Sequence, residues 1–409
     1  MTTLLLIKRN LRLIVFILLL IFSLYSTFLY LTAGQRGYDK VLSSLALQFA
    51  HGHVALPIYN VPVRDISNYY GNLYVYFGPL ASILLIPGAL LMGDNFPQVS
   101  IGAISMFVSF IMIYLISKKL KFNKLDSLYL ALFFVFSTVL FSSSVINITA
   151  YQVEALGVPL ILLAICAYLY KKNPLLIGIF IGLATMTRIT LMFGLIFFLV
   201  ELVRKNLTIK QFLLILLPVI FCLSILGLYN FRRFHSVFET GYNYNISKND
   251  APIGENSKRY GETNIIHIPA NLYSFLIMSP EPLFENKNGG FILKFPYLKL
   301  SPWGAAIWFT SPLFLLLLIN FRKGKYTISA GITTIALSLP IFLWYSVGYA
   351  QVGHRYALDF LPFLFLLLVP SLSPKLTKTA IILIVIGVIF NCVYSDSIWD
   401  LYPLFNIYN

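Results

Sequence analysis

The sequence is divided into eleven apolar blocks of about 15 to 22 residues, and this pattern restricts the possible folds more than any other feature. A helix that crosses the hydrocarbon core of a bilayer, about 30 Å thick, needs about 20 apolar residues. Only 11% of the 409 residues are charged, whereas an ordinary soluble domain has about 25%. The pattern therefore predicts an all-α, polytopic membrane protein and excludes a soluble globular enzyme.

The predicted transmembrane helices begin with a retained N-terminal anchor. They lie near 13–32, 97–117, 126–147, 151–170, 174–187, 189–203, 211–230, 303–320, 327–347, 357–370 and 379–395. The apolar segment 76–92 is interrupted by two prolines and two glycines, and we interpret it as interfacial or re-entrant. If it crossed the membrane, the basic stretch 118–124 would lie opposite the basic N-terminus, against the positive-inside rule.

The distribution of charge predicts the orientation of the chain. With 76–92 kept outside, the cytoplasmic loops hold 17 Lys and Arg against two acids, and the outer side holds 13 of each sign. The N-terminus is then cytoplasmic and the C-terminus outside. We expect one membrane domain over 1–409, with outer loops 34–75 and 231–302 as caps and no separate soluble domain. The net charge of +15 is not clustered with aromatic residues on a soluble face, so no nucleic-acid partner is expected.

Three acids on the predicted outer side are candidates for catalysis. Asp39 follows the first span and opens a predicted interfacial helix, 38–52, where a carboxylate can meet a soluble acceptor and a lipid-borne donor. A helix cap is the alternative role for Asp39. Asp65 lies further along the same loop, and Glu154 lies at the outer entrance of a span, where an acid is unfavourable unless it faces a cavity. Asp39 and Glu154 are also the candidate ligands for a divalent metal, Mg²⁺ or Mn²⁺, although no DxD or HExxH-like spacing supports one.

Five basic residues are candidates for binding a phosphate. Arg188 lies at the tip of a hairpin whose arms of about 15 residues are too short to cross the bilayer, so we expect its guanidinium in a polar cavity. The alternative is an arginine that extends to the outer headgroups. His354 and Arg355 form a short outer turn typical of a phosphate clamp, whereas Arg232 and Arg233 are equally well explained as ligands of outer-leaflet headgroups.

Several segments resemble a known family. GYDKVLSSLALQFAHG is similar to its first outer loop, NLYVYFGPLASILLIPGALL to its Tyr-x-x-Tyr-x-Pro-Pro-Leu segment, and GIFIGLATMTRIT to its Gly-Leu-x-x-Leu-Thr-Arg/Lys-Pro hairpin. YNFRRFHSVFETGYNY and GHRYALDFLPFLFLL are similar to sequences of bacterial members. Gly78 and Ile189 stand where prolines are frequent in these motifs. The chain thus resembles the GT-C superfamily of integral-membrane glycosyltransferases, relatives of the protein O-mannosyltransferases and aminoarabinose transferases.

The resemblance implies a GT-C-like fold in a bacterial plasma membrane and a specific reaction. A sugar would move, with inversion, from a polyprenyl-phosphate carrier to a glycan, lipid or protein acceptor on the outer face. The family's catalytic acid maps onto Asp39, which would act as the general base with support from Glu154 or Asp65. Lys40 stands where many members have a second acid, which weakens the argument for a metal. The expected partners are the lipid-linked donor, the acceptor and membrane lipids.

Two other functions fit the same topology. A flippase or transporter of lipid-linked oligosaccharides predicts charge along a path through several spans, whereas the acids here gather near one face. An O-antigen polymerase or ligase also has outer arginine-rich loops, and it uses a pyrophosphate-linked donor. A requirement for a monosaccharide-phosphate donor would distinguish the glycosyltransferase from it.

Overall fold

The computed structural model describes residues 2–33, 39–57, 65–246, 254–287, 290–372 and 374–395, and most of them are helical. The helices are α1 (Thr2–Ala33), α2 (Val41–Ala50), α3 (Leu80–Met92), α4 (Ser100–Lys119), α5 (Lys124–Phe136), α6 (Val139–Val145), α7 (Thr149–Leu169), α8 (Pro174–Thr185), α9 (Leu195–Val203), α10 (Ile209–Phe234), α11 (Glu255–Tyr260), α12 (Ile268–Leu276), α13 (Ile307–Thr310), α14 (Leu316–Ile319), α15 (Thr327–Phe342), α16 (Leu361–Leu372) and α17 (Lys378–Tyr394).

Two antiparallel hairpins correct the prediction of an all-α chain. β1 (Ile66–Tyr69) pairs with β2 (Asn72–Val75), and β3 (Glu281–Lys287) pairs with β4 (Gly290–Lys299). Tyr70 and Gly71 connect the first pair, and both have positive φ, as a tight two-residue hairpin turn requires. Both hairpins fall in the predicted outer loops, so the helical body is unchanged.

The lengths of the apolar helices agree with an integral membrane protein. Four helical segments of the described chain are long and apolar enough to cross a bilayer: Asn10–Thr32, Ser100–Lys119, Thr149–Leu169 and Ile209–Phe234. The pair α5 and α6 passes the same test as one span bent by 57°. The other apolar helices have 10–17 residues, so the count of eleven spans stays a prediction.

Helix α7 forms the centre of the molecule. In the most apolar 18-residue stretch of α7, 83% of the residues are buried, against 22% in that of α1 and 28% in that of α10. It packs between α4 and α8, while exposed leucines and phenylalanines such as Leu217 and Phe221 cover the outer face of α10. Apolar side chains on the outside are what a helix in contact with lipid requires.

Polar side chains cap the N-termini of several of these helices. Asn123, Asn173, Thr208 and Thr377 each accept a backbone N–H in the first turn of α5, α8, α10 and α17. Helix α7 lacks such a cap, because its N-cap residue is Ile148, whose side chain has no hydrogen-bond acceptor. The N–H groups at the start of α7 therefore need partners from elsewhere in the chain.

Contacts at two ends of the bundle define the relative directions of α1 and α17. At one end Arg12 pairs with Asp126, whose carboxylate also accepts the N–H of Leu376 at 3.2 Å. At the other end the hydroxyl of Tyr30 donates to the carbonyl of Cys392 at 2.7 Å. The two helices therefore run parallel.

Within the segment 38–52 the predicted helix is present as α2, Val41–Ala50, which packs on α3, and its interfacial position stays a prediction. On α2 the side chain of Ser43 is buried and donates to the carbonyl of Phe96 at 2.6 Å. The N–H of Leu42 donates to Gln98 at 2.9 Å. These bonds hold α2 against the turn that follows α3.

Candidate active site

Two acids from the loop between α1 and α3 lie at the N-terminus of α7. Asp39 accepts the N–H of Thr149 at 2.7 Å and that of Val41 at 3.1 Å. Asp65 accepts the N–H of Ala150 at 3.2 Å. The two carboxylates supply the cap that Ile148 cannot, and the positive end of the helix dipole stabilises their charge.

The β1–β2 hairpin holds Asp65 in place. Asp65 has a φ of 59°, a left-handed conformation that aspartate tolerates better than most residues, and it directly precedes β1. The hydroxyl of Tyr76, which directly follows β2, donates to Asp65 at 2.7 Å. The antiparallel pairing therefore brings Asp65 and Tyr76 to the same end of the hairpin.

The Asp39 carboxyl is suited to accept a proton near neutral pH. The residue is only 8% exposed, and its burial raises its pKa from 3.8 to about 6. The N–H of Thr149 lowers this pKa, and the charge of Asp65 raises it. At pH 7 most of the Asp39 carboxyls are therefore ionised, with a basicity matched to general-base catalysis.

Four charged side chains meet further along α7. Oε1 of Glu154 lies 3.4 Å from Nη1 of Arg188 and 3.5 Å from Nη1 of Arg355. Oδ1 of Asp359 lies 3.4 Å from Nη1 of Arg188, and Oδ2 accepts the hydroxyl of Thr190 at 2.7 Å. We call Glu154, Arg188, Arg355 and Asp359 the charged cluster.

Arg188 reaches the cluster because α8 stops before it. Helix α8 ends at Thr185, Arg188 is extended with φ −139° and ψ 127°, and a 3₁₀ turn over Ile189–Gly194 leads into α9. Gly78 packs against this tip, where a Cβ would overlap the carbonyl of Met186. The N–H of Gly78 donates to the carbonyl of Thr187 at 3.2 Å. A proline at this position would lose that bond, because proline has no backbone N–H.

The accessible part of the charged cluster is cationic. The side chains of Arg188 and Arg355 are 14% and 11% exposed, whereas those of Glu154 and Asp359 are 2% and 1% exposed. The ring of Tyr356 lies 5.3 Å from Cζ of Arg188 and 4.8 Å from Cζ of Arg355, within the range of cation–π attraction. The two arginines are thus the more exposed members of the cluster and the two acids the more buried ones, an arrangement that can bind an anion.

His354 does not contribute charge to this cluster. Its Nε2 lies 3.4 Å from Oδ1 of Asn271, and its ring packs against Phe275 and Phe342. Burial lowers its pKa to about 3, so the imidazole is neutral at pH 7. Arg355 therefore provides the positive charge of that turn, and the role of His354 in a phosphate clamp stays a prediction.

Arg232 and Arg233 are not paired with the acids of the charged cluster among the described residues. Arg232 is exposed, whereas Arg233 is buried, donates to the carbonyl of Val75 and to Oδ1 of Asn230, and lies 3.8 Å from the ring of Tyr229. Arg233 thus ties α10 to β2. Binding of a phosphate or headgroup by Arg232 and Arg233 stays a prediction.

The donor groups do not fit a metal centre. Within the described ranges no group of three or more His, Cys, Asp or Glu side chains is arranged to hold a metal ion. The two oxygens of Asp39 accept backbone N–H groups, and Glu154 lies between two guanidinium groups. Magnesium and manganese need several oxygen ligands around one point, so we derive no step through a metal.

Sequence reasoning missed the partners that position the acids. An apolar residue at the N-cap, Ile148, is a signal that other residues must cap α7, but it does not say which. Tyr76 lies in a recognised segment, yet nothing in that segment indicates that its hydroxyl binds Asp65. The contact of Tyr356 with two arginines likewise depends on tertiary structure.

No protein-family model matches the chain, and no curated protein matches it in sequence. Among solved structures, ArnT from Cupriavidus metallidurans bound to undecaprenyl phosphate matches over 89% of this chain, with a TM-score of 0.52 and 13% identity. ArnT in the apo state matches over 88%, with a TM-score of 0.50 and 16% identity. The chain spans 61% and 60% of the length of these two ArnT chains.

A third structure is AglB, the archaeal oligosaccharyltransferase from Archaeoglobus fulgidus, in complex with an inhibitory peptide and a dolichol-phosphate. It matches over 95% of this chain and 56% of its own, with a TM-score of 0.44 and 12% identity. The likeness to the two ArnT structures shows that this chain shares their fold, which agrees with the resemblance found in the sequence motifs.

Proposed function

From the GT-C fold that this chain shares with ArnT, we propose that it is a membrane glycosyltransferase that takes a sugar from a polyprenyl-phosphate donor. One observation carries the proposal. Two partly exposed arginines, Arg188 and Arg355, pair with Glu154 on α7, and the N-terminus of the same helix is bonded to a buried carboxylate, Asp39, whose pKa is about 6. Transfer of a sugar from a phosphate needs a cationic site for the leaving group and a base for the acceptor.

In the proposed reaction, Asp39 accepts the proton of the acceptor hydroxyl as its oxygen attacks the anomeric carbon. The bond between that carbon and the phosphate oxygen breaks on the opposite side, and configuration inverts. The leaving polyprenyl phosphate gains one negative charge, which Arg188 and Arg355 stabilise. Asp65 orients the N-terminus of α7 and, through its own charge, keeps the pKa of Asp39 raised.

An apolar groove on the protein supports the proposal of a lipid-linked donor. The groove has a volume of about 230 Å³, and its lining is almost entirely apolar. Its lining residues are Leu272, Phe275, Leu276, Ile307, Trp308, Phe314, Leu317, Thr334, Ser338, Phe342, Phe360 and Leu364. Phe275 and Phe342 also pack around His354, next to Arg355 in sequence. A prenyl chain in this groove would bring its phosphate to the charged cluster, and the ArnT structure contains undecaprenyl phosphate.

The membrane arrangement is part of the proposal: eleven spans, a cytoplasmic N-terminus, an external C-terminus and a site on the outer face of a bacterial plasma membrane. The contacts of α3 support a segment 76–92 that does not cross. At the start of this segment, the N–H of Gly78 donates to the carbonyl of Thr187. In the turn after the segment, Oδ1 of Asp94 lies 3.9 Å from Nζ of Lys40. Both contacts adjoin the acids and arginines of the site. Labelling a cysteine at Asp94 from the outside tests this arrangement, and labelling only from the cytoplasm contradicts it.

The test of function uses purified protein in lipid nanodiscs with a series of undecaprenyl-phosphate monosaccharides. We expect one of them to be consumed with release of undecaprenyl phosphate when an acceptor from the glycan, lipid or protein class is supplied. Consumption of pyrophosphate-linked donors alone would support a polymerase or ligase. Movement of lipid-linked sugar across the bilayer without chemistry would support a flippase. Either result would contradict the proposal.

A further inference from the structure

Glu154 lies between the two arginines that the proposed function assigns to the donor phosphate. One carboxylate oxygen, Oε1, is shared by Arg188 at 3.4 Å and Arg355 at 3.5 Å. With Asp359, also 3.4 Å from Arg188, the charged cluster holds two positive and two negative side chains. The cluster is therefore formally neutral before any lipid phosphate enters it.

The ion pairs of Glu154 are looser than hydrogen bonds. A charge-assisted hydrogen bond between guanidinium and carboxylate has an N···O distance of about 2.7 to 2.9 Å. In the part of the chain that the structure describes, Nη1 of Arg188, Nε and Nη1 of Arg355 and Oε2 of Glu154 are buried without a hydrogen-bond partner. Buried polar groups normally have hydrogen-bond partners. The three arginine nitrogens are therefore available to another anion while Glu154 stays beside them.

An anion that binds the two arginines is also repelled by Glu154. The energy of this repulsion is proportional to the charge of the anion. A sugar ester of polyprenyl phosphate is a phosphodiester with one negative charge. The released polyprenyl phosphate is a monoester whose second pKa is about 6, so it approaches two negative charges at pH 7. A pyrophosphate-linked donor also carries two.

We propose that Glu154 makes the site selective for a singly charged phosphodiester over doubly charged lipid phosphates. This inference rests on the proposed function and deepens it. Glu154 disfavours pyrophosphate-linked donors and, by repelling the doubly charged product, speeds its release. Asp359 also carries a negative charge, but it pairs with Arg188 through one oxygen and accepts the hydroxyl of Thr190 with the other. Glu154 is the acid that both arginines share.

The test compares two probes at pH 8, undecaprenyl phosphate and its methyl phosphodiester, on the wild type and on Glu154→Gln. Glutamine keeps the shape of glutamate and removes its charge. We expect the affinity for the diester to rise roughly 10-fold and that for the monoester roughly 100-fold, because repulsion doubles with the charge of the ligand. Glu201→Gln is the matched control, since Glu201 is buried and pairs with Arg204 at 3.2 Å away from these arginines, and it should change neither affinity.

Equal gains for the two probes, or no gain for either, would overturn the selectivity of Glu154 while leaving the lipid-phosphate site intact. Absence of binding of both probes to the wild type would instead contradict the proposed function. If Glu154→Gln does not fold, Glu154→Asp takes the place of the first variant, because the shorter side chain withdraws the charge from both arginines. Its gain in affinity for the monoester should be roughly the square of its gain for the diester, and equal gains overturn the inference.

Discussion

Oδ2 of Asp39 lies 2.7 Å from the backbone nitrogen of Thr149, 110 positions further along the chain. This bond connects the proposed base to the N-terminus of α7. Glu154 lies five residues along the same helix, about 7.5 Å along its axis at about 1.5 Å per residue. The most buried long helix of the described chain therefore sets the spacing between the proton acceptor and the arginines that pair with Glu154.

The first prediction concerns the base. Asp39→Asn keeps the size of the side chain but removes its basicity, so turnover should fall by about 10² to 10⁴ while donor affinity changes little. The control is Asp94→Asn, because Asp94 lies in a neighbouring turn with a side chain that is 50% exposed, and this variant should keep its activity. Full activity in Asp39→Asn would exclude Asp39 as the base and favour Asp65.

A second prediction concerns pH. Because only the ionised Asp39 accepts a proton, turnover should rise with pH through about 6, the pKa that its burial produces, and level off above about pH 7. Initial rates between pH 4.5 and 8 with saturating donor measure this profile. The residual rate of Asp39→Asn should lack the rise. A rise at the same pH in that variant would assign the titration to another group.

The third prediction concerns Arg188. Arg188→Lys keeps the charge but loses the planar fork, so it should weaken lipid-phosphate binding less than Arg188→Ala does, and both variants should stay folded. Arg233→Ala is the contrasting variant. It leaves the carbonyl of Val75 without its donor and should lower the unfolding temperature with little selective effect on affinity. Unfolding of both Arg188 variants without selective loss of affinity would contradict the phosphate role.

The fourth prediction concerns the apolar groove. Ser338 lines the groove, and tryptophan at this position should fill much of it and lower the affinity for undecaprenyl phosphate by about 10-fold or more. Ser224→Trp is the matched control, because Ser224 is exposed on α10 and bonds to a carbonyl of its own helix, as Ser338 does. Equal affinities of the two variants and the wild type would show that the lipid lies elsewhere.

The sequence indicated the main acids and Arg188 for physical reasons. An ionisable residue between apolar segments is unfavourable unless it faces a cavity, and Glu154 and Arg188 are indeed paired with each other. Asp39 was a candidate because of its position after the first span and because the resemblance maps the family's catalytic acid onto it, and its catalytic role stays a prediction. The order of apolar blocks likewise predicted the helical body of the fold.

Other features depend on contacts that no local pattern records. His354 and Arg355 are adjacent in sequence, yet one side chain is buried among aromatic rings and the other reaches Glu154. Arg233 follows Arg232 on α10, but the turn of the helix buries one and exposes the other. Adjacent residues on a helix face different neighbours, and only the packing decides which of them is functional.

The most direct test of the central claim is the structure of the protein with undecaprenyl phosphate bound. We predict the phosphate within hydrogen-bond distance of Arg188 and Arg355, with the prenyl chain in the groove beside Phe342 and with Asp39 facing the open side of the phosphate. A phosphate bound instead at Arg232, or at the opposite end of the bundle near Arg204, would contradict the assignment of the site.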